Sequence, residues 1–167
     1  YLRKKLVSRL PFSLTNSQNH ALSEIVLNME ANTRMVRLLH GDVGSGKTIV
    51  AFLAMLNAVE SGEQAALMAP TEILARQHLA TIEPWMKSLG ISCAALTRRT
   101  KGKVRETLLS DLRDGKIDIL VGTHAMFQDD VVFASLALTV IDEQHKFGVH
   151  QRLNLQAKGR AVDLLVM

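Results

Sequence analysis

The stretch Gly41-Asp-Val-Gly-Ser-Gly-Lys47-Thr48 decides how the rest of this sequence is interpreted. It matches the pattern G-x-x-x-x-G-K-[ST] at each fixed position. In such a stretch the glycines let the backbone wrap a phosphate with its N–H groups pointing inward, and the following helix adds its positive N-terminal end. Lys47 is expected to reach the β- and γ-phosphates, and the Thr48 hydroxyl to bind Mg²⁺. The residues predicted to hold the phosphates are Gly41, Asp42, Val43, Gly44, Ser45, Gly46, Lys47 and Thr48.

Strand-like and helix-like segments alternate on both sides of this stretch. The apolar runs that predict strands are Met35–Leu39, Gln64–Ala69, Ser92–Leu96, Ile117–Val121, Leu136–Ile141 and Val162–Met167. The patterns that predict helices are Ser17–Asn28, Lys47–Val59, a segment with Thr71 as its N-cap, and Lys101–Arg113. This order predicts an α/β fold, a mostly parallel sheet with helices on both faces. A strand before the glycine-rich stretch and a helix after it favour phosphate binding over a turn that only caps a helix.

The second half of the phosphate site is expected at the end of another apolar strand. Ligands of parallel sheets bind at the carboxyl ends of the strands, and Leu136–Ile141 leads directly into Asp142 and Glu143. Asp142 would hold Mg²⁺, and Glu143 would polarise the attacking water. The alternative is a solvated acidic loop, which the glycine-rich stretch makes the weaker interpretation. Lys47 and Glu143 are therefore the predicted catalytic residues, and Thr48 and Asp142 the predicted metal ligands.

Composition limits the possible partners only weakly. The chain has 167 residues, which fits one domain, and a formal net charge of +4, which permits contact with a polyanion without requiring it. Aromatic residues make up 4%, which argues against base stacking as the main nucleic-acid contact. The single cysteine, Cys93, cannot form an internal disulfide, and this fits a reducing compartment. Neither a membrane span nor a signal peptide is predicted. The first residue, Tyr1, and the strand-like end at 161–167 indicate a piece of a longer protein.

Further motifs follow the predicted strands in an order that resembles superfamily 2 helicases. Asp142-Glu143-Gln144-His145 resembles their DExH box, Pro70-Thr71-Glu72-Ile-Leu-Ala their motif Ia, and Gly122-Thr123-His124-Ala their motif Ic. Pro11-Phe12-Ser-Leu-Thr-Asn-Ser-Gln18 resembles the Q motif, which reads adenine. Together with the glycine-rich stretch and Lys101-Gly-Lys103, these segments closely resemble the RecG family of bacterial branched-DNA translocases.

The resemblance implies a RecA-like motor lobe that covers residues 1–167, with a Q-motif region and a leading helix in 1–34. It implies ATP and Mg²⁺ as ligands and branched or forked DNA as the partner. A second RecA-like lobe, with the arginine fingers, and a wedge domain are expected elsewhere in the same protein. The resemblance further implies a monomer in the bacterial cytoplasm, associated with the nucleoid and not with a membrane.

Two alternative functions stay open at this point. The first is the motor lobe of a transcription-repair coupling factor, whose usual motifs differ from Ser45 and Gln144. The second is a nucleotide-gated DNA-binding module without hydrolysis, which would not need the carboxylate of Glu143.

Several residues take an expected role from the resemblance alone. Phe12 and Gln18 would contact the adenine, with core packing as the alternative for Phe12 and a plain polar helix start for Gln18. Gln144 and His145 would couple the nucleotide site to the DNA side. The predicted DNA contacts are Pro70, Thr71, Thr97, Arg98, Arg99, Thr123 and His124.

Some of these positions carry alternatives or depart from the family. Thr71 and Thr123 would hold DNA phosphates, and plain N-capping is the alternative for each. Arg98 and Arg99 stand where the family usually has Gly-Ser, so easy access to positive φ is lost and two positive charges are gained. The histidines predicted to be simple surface residues are His20, His78 and His150.

Overall fold

A parallel sheet forms the centre of the molecule. The computed structural model describes residues 1–31, 35–39, 46–142 and 162–167. Within them the strands are β1 (Val36–Leu38), β2 (Gln64–Met68), β3 (Cys93–Leu96), β4 (Ile119–Gly122), β5 (Leu136–Ile141) and β6 (Asp163–Val166). They lie in the order β1-β6-β5-β2-β4-β3, and all these pairs are parallel. The predicted α/β fold is confirmed, and each strand overlaps the run that predicted it.

Helices occupy the segments between the strands. They are α1 (Leu2–Arg9), α2 (Asn16–Glu30), α3 (Lys47–Glu60), α4 (Glu72–Leu89), α5 (Gly102–Arg113) and a short 3₁₀ helix, His124–Phe127. The predicted helices correspond to α2 through α5, whereas α1 and the 3₁₀ helix were not predicted. In α1 only Leu6 is buried, at 1% exposure, among basic residues. One anchoring side chain produces no helical periodicity that a sequence pattern can detect.

The sheet separates two hydrophobic cores. Ala65 and Leu67 of β2 pack into the core formed with α1 to α4, whereas Ala66 and Met68 pack into the core formed with α5 and the 3₁₀ helix. Because successive side chains of a strand point to opposite faces, one short apolar strand contributes to both cores. The predicted coverage of both faces by helices is thereby confirmed.

The register aligns the carboxyl ends of all six strands in one row. Across the sheet, the paired positions run in the order Leu38, Val166, Ile141, Met68, Gly122 and Leu96. Hydrogen bonds continue one residue beyond this row, because Asp142 N donates to Met68 O at 2.8 Å and Thr123 N donates to Leu96 O at 3.3 Å. The polar segments that follow β2, β4 and β5 therefore leave the sheet at one edge, as the sequence predicted, and the segment that follows β3 leaves it there too.

A buried amide fastens the opposite end of the sheet. Gln64, at 4% exposure, donates through Nε2 to Leu112 O at 2.9 Å and to Ile117 O at 2.8 Å. Its Oε1 accepts from Ser135 N at 2.9 Å. One side chain thus joins the start of β2 to the end of α5, the start of the segment before β4, and the turn before β5.

Candidate functional site

The end of the glycine-rich stretch shapes the start of α3. Gly46 is the N-cap and has a φ of +82°, a left-handed conformation that favours glycine. Lys47 and Thr48 follow in the first turn, and both are half-buried. Residues 41–45 lie outside the described residues, so the structure tests only this helical end of the predicted phosphate site.

Gln18 connects the predicted Q motif to the glycine-rich stretch. Its Oε1 accepts from Thr15 N at 2.8 Å, and Thr15 Oγ1 accepts from Gln18 N at 3.1 Å, which together form a capping box at the start of α2. Its Nε2 donates to Gly46 O at 3.4 Å. The amide predicted to read adenine therefore also holds the N-cap of α3, and its contact with a base stays a prediction.

Phe12 is not part of the hydrophobic core. Its side chain is 46% exposed, and it lines a surface cavity of about 460 Å³ together with residues of α1 and the segment before α2. The alternative of core packing for Phe12 was therefore wrong. Stacking of this ring on a base stays a prediction.

Asp142 lies at the end of β5, where the sequence predicted a metal ligand. Its side chain is 19% exposed, and its Oδ2 lies 2.7 Å from His78 Nε2. His78 is only 14% exposed, so the prediction of a simple surface residue was wrong for it. The other three residues of the predicted DExH box, Glu143, Gln144 and His145, lie outside the described residues.

The oxygen atoms of Thr48 and Asp142 are suitable ligands for the predicted Mg²⁺ ion. Mg²⁺ prefers oxygen ligands, keeps several waters, and is commonly held by one or two protein groups together with substrate phosphates. The hydroxyl of Thr48 and the carboxylate of Asp142 supply such oxygens from the ends of two different elements. Within the described residues, no three His, Cys, Asp or Glu side chains form a metal-binding group, which is compatible with a site of this type.

A network around Glu72 organises the adjacent part of the edge. Thr71 caps α4, since its side chain accepts from Leu74 N at 3.2 Å. Glu72 Oε1 accepts from Thr97 Oγ1 at 3.2 Å and from Arg76 Nη2 at 3.0 Å, and its Oε2 lies 3.2 Å from Arg99 Nε. We call Glu72, Arg76, Thr97 and Arg99 the Glu72 network. It fixes the turn after β3 to the first turn of α4.

The turn that carries Arg98 and Arg99 forms without glycine. Thr97 N donates to Thr100 Oγ1 at 3.1 Å, Thr100 N donates to Thr97 O at 3.1 Å, and Arg99 N donates to Thr97 Oγ1 at 3.2 Å. These three hydrogen bonds close the turn around Arg98 and Arg99 through Thr97 and Thr100. Arg99 is directed to Glu72, whereas Arg98 lines a cavity. Their contacts with DNA stay predictions.

That cavity has a volume of about 270 Å³ and lies between β2, β3 and β4 at the edge. Its lining consists of Pro70, Glu72, Arg98, Thr123 and His124. Gly122 allows the close packing beneath it, because a Cβ there would overlap Leu96 O and the side chain of Met126. The structure thus brings together most of the predicted DNA contacts, while Thr97, at 2% exposure, and Thr123, at 8%, offer little surface of their own.

Two residues near the edge were missed by sequence reasoning. Glu72 was noted only as part of the segment that resembles motif Ia, and His78 was predicted to be a simple surface residue. Both share the helix that begins after Thr71, and His78 follows Thr71 by seven residues, which is about two helical turns. That spacing was a signal that Thr71 and His78 lie on one face of α4.

The surroundings of Cys93 disfavour a role as a nucleophile. Burial, with a smaller contribution from Glu83, raises the pKa of its thiol to about 12. It lines a groove of about 480 Å³ between β3 and α5, far along the sheet from Asp142. The thiolate, which is the reactive form, is therefore scarce at neutral pH.

Comparison with known proteins relates this chain to helicases. Residues 15–163 match the family described as DEAD/DEAH box helicase. A protein of Pasteurella multocida (strain Pm70) named ATP-dependent DNA helicase RecG is 50% identical, over 97% of this chain and 23% of the relative. The protein of that name from Bacillus subtilis (strain 168) is 52% identical, over 98% of this chain and 24% of the relative. This chain therefore spans about a quarter of the length of the curated relatives it matches.

A solved structure described as RecG bound to a three-way DNA junction has the same fold over this region. It superposes with a TM-score of 0.85 at 46% sequence identity, and the match covers 99% of this chain and 22% of that one. In the described part of this chain, every helix is too short or too polar to cross a lipid bilayer.

Proposed function

The chain belongs to the DEAD/DEAH box helicase family, and from this premise we propose that it is the ATP-binding motor lobe of a DNA helicase. The proposed enzyme would hydrolyse ATP to translocate on duplex DNA and to remodel branched or forked DNA. About half of its residues are identical to those of proteins named ATP-dependent DNA helicase RecG. The similar structure bound to a three-way junction supports branched DNA as the substrate class.

One observation carries the proposal, namely the common row of strand ends. Asp142 and the cavity beside Thr123 lie at the same edge of one sheet, and β1, the strand before the glycine-rich stretch, ends at this edge as well. Neighbouring strands lie ~4.8 Å apart. Two such spacings, or ~10 Å, separate β1 from β5, and two more separate β5 from β4. A motor needs such proximity, because the hydrolysis of the nucleotide must change the position of the groups that bind DNA.

In the proposed reaction, this chain supplies positioning and charge. Lys47 would contact the β- and γ-phosphates, and Thr48 and Asp142 would hold Mg²⁺. When bound, Mg²⁺ would neutralise the negative charge that develops on the phosphates. Glu143 would orient the attacking water, and Gln18 and Phe12 would receive the adenine. Completion of the site by arginines of a second lobe is part of the proposal.

The predicted DNA contacts suit a sequence-independent motor. Hydroxyls, backbone N–H groups and arginines bind phosphate oxygens and carry no base information. Arg98 lines the cavity next to Thr123, so a phosphate there would meet both a positive charge and a polar loop. The paucity of aromatic residues agrees with contacts to the backbone of the DNA.

The proposal is tested by replacing Lys47 in the full-length protein. We expect Lys47→Ala to lower the ATPase rate by about 10²-fold or more, since one charge that stabilises the transition state is lost. It should abolish fork remodelling and leave junction binding largely intact in a gel-shift titration. The matched control is Lys87→Ala, an exposed lysine at the end of α4 that pairs with Glu83. Fork remodelling that survives Lys47→Ala would refute the assignment.

A further inference from the structure

The contact between His78 and Asp142 joins two parts of the chain that are far apart in sequence. The two residues are 64 positions apart, and His78 Nε2 lies 2.7 Å from Asp142 Oδ2. Both side chains are largely buried, at 14% and 19% exposure. A distance of 2.7 Å is typical of a charge-assisted hydrogen bond. Because a carboxylate only accepts hydrogen bonds, the Nε2 atom of His78 carries the hydrogen.

Asp142 is thereby held on two sides by the same stretch of chain. Its backbone N donates to Met68 O, the last residue of β2, at 2.8 Å. Its side chain is held by His78 of α4, the helix that follows β2. The position of the carboxylate thus depends on β2 and α4 as well as on β5.

We propose that His78 is a positioning residue for Asp142, which fixes the carboxylate through Oδ2 and leaves Oδ1 as the oxygen that the histidine does not use. This inference rests on the proposed function, because it assigns His78 to the Mg²⁺-nucleotide site. Groups that hydrogen-bond to a metal ligand without touching the metal set the orientation of that ligand. Their loss typically lowers metal affinity about 10- to 100-fold. His78 itself does not touch the reacting atoms.

Two members of the Glu72 network, Glu72 and Arg76, lie in the first two turns of the same helix, close to His78. Thr71 and Glu72 open α4, and His78 follows within about two turns, a rise of ~10 Å. A helix is stiff over this distance, so a displacement of its first turn also displaces His78. His78 therefore connects the predicted DNA-facing turn after β3 to the predicted metal ligand.

The experiment measures binding of a fluorescent ADP analogue to the full-length protein, in EDTA and across a MgCl₂ titration. His78→Phe keeps a ring and removes the hydrogen-bond donor. His78→Gln keeps an amide donor near the position of Nε2. The matched control is His20→Phe, since His20 also pairs with a carboxylate, Glu24, but on the exposed surface of α2. Circular dichroism melting accompanies each variant.

We expect His78→Phe to require about 10- to 100-fold more Mg²⁺ for the same nucleotide affinity, with affinity in EDTA within twofold of wild type. His78→Gln should recover most of the Mg²⁺ response, and His20→Phe should match wild type. If His78→Phe melts below the assay temperature, His78→Asn, whose amide is too short to reach Asp142, replaces it with the same expectation.

Two results would overturn the inference. One is an unchanged Mg²⁺ dependence when the donor is absent. The other is an equal loss of affinity with and without Mg²⁺, which would indicate a purely structural role. Failure of the proposed function gives a different pattern, because then wild type itself would bind the analogue without any Mg²⁺ response, or Lys47→Ala would bind it as well as wild type.

Discussion

The two halves of the sheet edge are built in different ways. We name the halves after their proposed ligands, the nucleotide half at the ends of β1, β6 and β5 and the DNA half at the ends of β2, β4 and β3. The nucleotide half depends on contiguous motifs, a glycine at positive φ and a carboxylate directly after a strand. The DNA half, at the ends of β2, β4 and β3, is assembled from side chains of three separate segments that bond to one another. In the first half, local motifs predict both the residues and their arrangement. In the second half, motifs predict several of the residues, but the contacts among them are seen only in the folded chain.

This difference predicts two kinds of response to substitution. In the nucleotide half the groups that meet the ligand lie at helix and strand ends, so their removal should lower affinity and leave the fold stable. In the DNA half the same groups hold the loops together, so stability and binding should change together. The following substitutions test whether stability and binding change separately in one half and together in the other. They are given in order of decreasing expected effect.

A reference for pure stability comes from the opposite end of the sheet. Gln64→Leu removes three hydrogen bonds. Ile117 O and Ser135 N each lose the Gln64 side chain as a partner, whereas Leu112 O still accepts from Gly115 N at 3.2 Å. We expect the free energy of unfolding to fall by ~3 kcal/mol or more, with nucleotide affinity unchanged in whatever fraction remains folded. Urea denaturation measures the loss. Gln77→Leu on the exposed side of α4 is the control, with a change within ~0.5 kcal/mol.

The packing beneath the DNA half depends on Gly122. A Cβ in Gly122→Ala would overlap the backbone oxygen of Leu96, which cannot move away as a flexible side chain can. We expect a loss of ~2 kcal/mol in unfolding free energy, together with weaker DNA binding. Denaturation and fluorescence anisotropy with labelled duplex measure the two effects. If stability falls while DNA affinity stays at the wild-type level, the coupling of fold and binding in this half is wrong.

Gly46 tests the nucleotide half, where binding is expected to change more than stability. In Gly46→Ala the new Cβ would overlap Gln18 Nε2, the end of a flexible side chain that can swing away. We expect nucleotide affinity to fall by at least about tenfold, since a closely fitted site loses its geometry when displaced. The control is Gly90→Ala, which has a similar positive φ and open space around its Cβ. Both variants should lose about the same unfolding free energy, ~1 kcal/mol, and a much larger loss in Gly46→Ala would contradict the distinction.

The two arginines of the turn after β3 provide the smallest test. Arg98 lines the cavity, whereas Arg99 is paired with Glu72. We expect Arg98→Ala to lower the slope of log K against log salt for DNA binding by about one phosphate contact, ~0.9. Arg99→Ala should change this slope less and alter stability by at most ~0.5 kcal/mol, because its side chain is exposed. Equal slopes for the two variants would show that Arg99 binds a DNA phosphate as Arg98 does, despite its ion pair with Glu72.

Sequence patterns predicted the sheet and most helices because these depend on local periodicity. The strand runs and α2 to α5 carry their signals within a dozen residues, as does the glycine-rich stretch. Asp142 was found because it directly follows an apolar strand. The positions of Gly46, Lys47 and Thr48 at the start of α3 and of Asp142 after β5 were therefore predictable, whereas their roles in binding a nucleotide stay predictions.

Long-range contacts explain what was missed. Leu6 anchors α1 only because the folded chain offers it a buried position. His78 reaches Asp142 across 64 positions, and Glu72 gathers partners from two separate segments. No local pattern encodes such pairs, since each partner looks like an ordinary polar residue in its own stretch. The helical spacing between Thr71 and His78 was the one available signal.

The row of strand ends also limits the length of DNA that this edge can contact. The DNA half spans three adjacent strands, which is two gaps of ~4.8 Å, or ~10 Å in all. One strand of duplex DNA rises 3.4 Å per nucleotide, so on the proposed function this edge can engage only about three base steps at a time. A lobe with so short a contact can advance along the DNA only by releasing the backbone and binding it again further along.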